Sequence, residues 1–273
     1  MLLRDLRRRG VRGGVIPQHR AMVGLPWTGA RLITSVGLGL GGLALLLGGL
    51  RPVTALWCRL FAWIHPRLGL PGAIELRRVD LFGLLNFSLP TLGVEGAVPD
   101  ARALWIATGA AAAVLALTFA LRERFTPVAY FLRALVLIQT SAILFFAIPG
   151  TQFPYRLPEY VVALLTGGLL ITGLVPLVLA FTFHMFDVSL ARKMFLTLAI
   201  PAHLAVFIPL QALVQVWLVT RLTLLVQPML FLVFGLLVDV LVFVAFYGWA
   251  MSWPRAGRAA TAPARGAGRG ALP

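Results

Sequence analysis

Six runs of about 20 mostly apolar residues, spread along one chain, limit what this sequence can become more than any other feature of it. They lie near 32–50, 103–121, 127–149, 160–182, 194–219 and 223–250. A helix rises ~1.5 Å per residue, so each run is long enough to cross a hydrocarbon core of ~30 Å. In lipid the backbone must satisfy its own hydrogen bonds, which leaves helices or closed barrels. Runs of this length select helices. The expected fold class is therefore all-α: a polytopic membrane protein with six transmembrane helices. The first run is longer and richer in glycine than a signal-peptide core and is followed by no A-x-A-like cleavage site, so it reads as a retained span.

Composition excludes the soluble alternative. Hydrophobic residues make up 60% of the 273, charged residues 12%, and the mean hydropathy is +0.92. Soluble domains balance roughly 45–50% apolar against about 25% charged. The net charge of +15 would suggest nucleic acid in a soluble protein. Here the basic residues flank the apolar runs instead of forming one stripe, so no nucleic-acid partner is expected. The lipid bilayer and its anionic headgroups are the expected counterparts.

Basic residues near helix ends stay on the cytoplasmic side. With the N-terminus inside, the inner segments hold fifteen: Arg4, Arg7, Arg8, Arg9, Arg12, Arg20, Arg31, Arg122, Arg124, Arg192, Lys193, Arg255, Arg258, Arg265 and Arg269. The outer segments hold eight, of which six fall in the one long connection 51–102. Trp27, Trp105, Trp217, Trp249 and Trp253 fall at the ends of runs, where headgroup belts form. Both signals predict that N- and C-termini face the cytoplasm in a multi-pass protein of a bacterial inner (plasma) membrane. Residues 1–31 then form a basic arm, 32–253 the membrane domain, and 254–273 a basic tail without periodicity.

The connection 51–102 is too long for a turn. From Thr54 to Pro66, Leu56, Trp57, Leu60, Phe61 and Ile64 recur at helical spacing, predicting an interfacial helix in this first outer loop. From Gly72 to Asp100, charges surround the apolar run Leu81 to Leu89. That stretch suits a loop resting on the helix tops, a small cap or a partner-docking loop. Pro176, Pro209 and Pro228 each predict a kink in their span.

Ionisable residues inside spans carry the functional expectations, because each costs roughly 2.5–3.5 kcal/mol at a helix centre. There are three: Arg133, His203 and Asp239. Counted from the cytoplasmic helix ends they lie about 10, 14 and 16 Å deep, which predicts one polar layer. An ion pair between Arg133 and Asp239 is expected there, with His203 beside it and Gln139, Gln211 and Gln215 extending the polar interior outward. Small residues predict close helix contacts: Gly37 and Gly41 as a G-x-x-x-G pair, Gly109 on the second span, and Gly235 one turn before Asp239.

Catalytic signatures are missing. No G-x-S-x-G, H-E-x-x-H or glycine-rich phosphate loop occurs, and the four histidines are too scattered for a metal or haem site. The single cysteine, Cys58, offers no disulfide within the chain and no thiolate metal site. No metal, cofactor or catalytic residue is expected. The expected role is a non-catalytic integral subunit of an envelope or membrane-associated complex, meeting a protein partner in the membrane through the first span, segment 51–102 and the loop Phe183 to Lys193. The alternative is a small transporter or permease subunit in which Arg133, His203 and Asp239 handle solute or protons.

Overall fold

A computed structural model of the protein describes residues 29–81, 83, 85–121, 125–148, 153, 156–183 and 189–252. Residues 1–28 of the basic arm, the tail 254–273, Arg122 and Arg124, and residues 184–188 of the Phe183 to Lys193 loop lie outside the described residues. In chain order the elements are α1 (Gly29–Gly48), α2 (Leu50–Leu68), β1 (Ile74–Leu81), β2 (Leu85–Leu92), α3 (Ala101–Ala120), α4 (Thr126–Ala147), α5 (Leu157–Thr182) and α6 (Leu190–Arg221). The last apolar stretch is composite: a 3-10 turn (Leu224–Val226), α7 (Gln227–Phe231), a π-helical segment (Leu232–Leu237) and α8 (Val238–Met251).

Among the described residues, five helices are long and apolar enough to cross a membrane: Ala101–Ala120, Thr126–Ala147, Leu157–Thr182, Leu190–Arg221 and Leu224–Ala250. The number becomes six if Leu32–Gly48 and Leu50–Leu68, which meet at 53°, form one bent span. The predicted interfacial helix is thus longer than expected and follows α1 after Gly49 alone. The all-α expectation needs a second correction, because part of segment 51–102 is a β-hairpin. β1 pairs antiparallel with β2 from Ile74↔Leu92 to Leu81↔Leu85. Gly83, at φ 70°, supplies the left-handed residue of its three-residue turn.

By contact the chain divides into two units: Met1–Leu43, Val175–Ala199 and Phe243–Pro273, and Ala44–Leu174 with Ile200–Val242. Within the first, Leu179, Phe183, Leu196 and Ala250 are buried. α1 approaches α5 and α6 through glycines, though not the expected pair. A Cβ on Gly39 would lie 2.5 Å from that of Ala180, and one on Gly42 would lie 2.7 Å from Thr197 Cγ2. A Cβ on Gly37, Gly41 or Gly109 would meet nothing within 4 Å among the described residues, so the G-x-x-x-G spacing marks a face open to them and not a contact with them.

Within the second unit, the core holds Trp57, Phe61, Leu89, Leu92, Leu164, Leu165, Ile208 and Leu213. α2 packs on β2, and α3 pairs with α4. Trp57, fully buried, donates its Nε1–H to the carbonyl of Ala205 at 2.6 Å. That carbonyl lies four residues before Pro209, which has no N–H to offer it. The indole fills the gap that proline makes in the α6 hydrogen-bond ladder. Thr91 Oγ1 donates to the Pro158 carbonyl at 2.9 Å, and Leu224 N–H to the Ala97 carbonyl at 3.0 Å, tying the hairpin and the residues after it to the starts of α5 and of the 3-10 turn.

Candidate functional site

The helical ladder of the last span breaks at Leu232–Leu237. Pro228 is not the cause: it stands in the first turn of α7, where its missing N–H has no ladder partner to lose. The break centres on Gly235, whose φ −100° and ψ −106° fall outside the helical basin. Glycine adopts this conformation without a Cβ penalty, and a Cβ here would come 2.7 Å from Leu164 Cδ1. A π-helical turn misaligns backbone carbonyls, and in an apolar interior each must find another donor.

Two glutamines supply those donors. Gln211 and Gln215, four residues apart on α6, lie on one face of that helix. Gln215 Nε2 donates to the Phe234 carbonyl at 2.6 Å. Gln211 Nε2 donates to the same carbonyl and, at 3.0 Å, to that of Gly235. The Tyr160 hydroxyl, at the start of α5, donates to Gln215 Oε1. Tyr160 is 4% exposed and Gln215 2%, so this chain of hydrogen bonds runs through apolar surroundings, where interactions are less screened than in water.

Cavities adjoin both ends of the chain of bonds. One of about 370 Å³ is lined by Tyr160, Phe153, Gln227, Pro228 and Phe231. The other, about 560 Å³, is lined by Gln211, Gln215, Phe234, Met229 and the exposed Val214 and Leu222. The Tyr160 to Gln215 bond therefore joins the wall of one cavity to the wall of the next. Among the described residues, one oxygen each of Gln211, Gln227 and Asp239 is buried without a hydrogen-bond partner. Asp239, one turn beyond Gly235, is 1% exposed.

The predicted polar layer is divided. Arg133 does not pair with Asp239; its Nε donates to Thr118 Oγ1 on α3 at 3.1 Å, and its guanidinium lies 4.8 Å from the Phe119 ring centre. His203 stacks on Phe207 at 5.7 Å and lies on an exposed side of α6, away from the buried network. Gln139 donates to the Leu225 carbonyl at 3.3 Å, holding the 3-10 turn that leads into α7. Of the expected residues, Gln211, Gln215 and Gly235 converge on the break, and Asp239 follows it by one turn. Tyr160 and Gln227 were not anticipated. Among the described residues, no three His, Cys, Asp or Glu side chains converge as metal ligands would. No family model, curated protein or solved structure matches the chain.

Proposed function

We propose that the chain is a small, proton-linked permease component of a bacterial inner membrane, with both termini in the cytoplasm, in which Leu232–Leu237 is the moving part and Asp239 carries the proton. The observation behind this reading is the coincidence of a broken helix, side-chain-capped carbonyls and a buried carboxyl with an unpartnered oxygen, all within two turns. Discontinuous helices line substrate paths in transporters, and π-helical turns recur at functional sites. A purely structural role for Asp239 would be better served by the ion pair to Arg133, which does not form. Gln211 and Gln215 hold the break through bonds to carbonyls, and such bonds exchange partners when the segment slides.

The test is proton entry into liposomes containing purified protein, driven by an imposed potential and read by an internal pH dye. Wild type passes protons, and a folded Asp239→Asn variant passes none. Equal flux in the two, or none in wild type, overturns the proposal.

A second reading keeps the chain as a non-catalytic subunit of a membrane complex. The hairpin supports it: β1 has no strand on its outer edge among the described residues, and Leu76, Arg77 and Arg78 on it are exposed. Free strand edges accept partner strands.

A further inference from the structure

Arg133 is an arginine set well inside α4, one of the five membrane-length helices, and its surroundings are those of a site. Its backbone is seven residues into α4, yet its side chain bends back toward the helix ends. The Nε contact, Thr118, stands two residues before the end of α3 at Ala120. Arginines in membrane helices reach headgroup level in this way. The aromatic rings of Phe119 and Tyr130, with centres 4.8 and 5.6 Å from the guanidinium carbon, hold the group in position.

A guanidinium has five N–H donors. The bond to Thr118 uses one, and the terminal nitrogens of Arg133 have no hydrogen-bond or carboxylate partner among the described residues. Beside them is a cavity of about 250 Å³, walled by Thr118, Thr126, Tyr130 and Arg133 with Leu121 and Ala129. Among the described residues nothing neutralises the charge or fills the donor fork, and the space next to it is polar. A tetrahedral oxyanion meets all three conditions, because Arg bonds phosphate through two parallel N–H groups. The flanking Phe119, Tyr130 and Phe131 side chains are exposed and apolar, as acyl chains attached to that phosphate would require.

We infer that the cavity between the last turn of α3 and the first two turns of α4 is a phosphate site occupied by the headgroup of an anionic phospholipid, gripped by the Arg133 guanidinium and oriented by Thr118. This site is independent of the break in the last span.

Purified protein in mild detergent, titrated with phosphatidylglycerol, phosphatidylcholine or inorganic phosphate and read by native mass spectrometry, tests it. Phosphatidylglycerol binds wild type best. Arg133→Gln weakens it about tenfold, the loss of one charge-assisted contact, whereas Arg133→Lys keeps part of the affinity. Thr118→Val, which leaves the charge and removes its orienting bond, gives an intermediate loss and serves if Arg133→Gln does not fold. Arg67→Gln, at an exposed arginine resting on Trp63, leaves binding unchanged. Unaltered phosphatidylglycerol binding in Arg133→Gln or Thr118→Val overturns the inference. Equal binding of phosphatidylcholine, or displacement of the lipid by equimolar inorganic phosphate, overturns the anionic-lipid assignment.

Discussion

Replacing Gln215 with leucine removes the centre of the buried chain of hydrogen bonds while nearly preserving volume. Two bonds are lost: the one Gln215 accepts from Tyr160 and the one it donates to the Phe234 carbonyl. They are not equivalent. The Phe234 carbonyl keeps Gln211 as a donor, so that end loses a shared bond worth about 0.6 kcal/mol by the average for interhelical bonds in membranes. The Tyr160 hydroxyl is stranded in an apolar interior, which costs about 1–3 kcal/mol. Gln215→Leu should therefore destabilise the fold by roughly 2–3 kcal/mol. Tyr160→Phe removes the donor, strands Gln215 Oε1 instead, and should cost about 1–2 kcal/mol. In the double variant nothing is stranded, so its cost should fall short of the sum by about 1–2 kcal/mol. Unfolding by sodium dodecyl sulfate in mixed micelles, followed by circular dichroism, measures all four corners of the cycle. Additivity within about 0.5 kcal/mol would refute the bond between Tyr160 and Gln215 as an energetic unit.

Glycines give two further predictions by the same assay. Gly39→Ala drives a Cβ against the short, immovable side chain of Ala180 and should destabilise by about 1–3 kcal/mol, while Gly37→Ala and Gly41→Ala meet open space and should be neutral or stabilising; the reverse order would restore the G-x-x-x-G contact. Gly235→Ala presses on Leu164 and should destabilise by about 1–3 kcal/mol, whereas a gain of about 1 kcal/mol, as helix propensity alone predicts, would mean the break is not native.

Hydropathy made the spans legible, because length and apolar content decide membrane crossing without reference to neighbours. The hairpin was not legible. Its β2 strand includes Leu89 and Leu92 in the core, Pro90 paired with Leu76, and little polar alternation, so it reads as a generic apolar run. The expected ion pair failed for a geometric reason: depth along a helix says nothing of which way a residue faces. Arg133 and Asp239 have similar calculated depths, but the flexible arginine stem turns toward Thr118. The glycine pair failed in the same way, since spacing identifies a bare face without its neighbour. Gln211 and Gln215 were visible as an i, i+4 pair, but they bond backbone carbonyls, and a carbonyl leaves no letter in a sequence. Gly235 suggested close helix contact and Pro228 the kink of this span, whereas the break centres on Gly235.

The bond from Trp57 to the Ala205 carbonyl spans 148 residues, and that separation has a consequence in time. A ribosome adding ~5–20 residues per second needs roughly 7–30 s to make the second partner after the first. Through that interval the indole has no α6 to grip. Tryptophan is at home where lipid headgroups meet water, so the nascent α2 has a resting place at the bilayer surface until the proline-bearing helix arrives. The same side chain then serves twice, first as a float and later as a clasp.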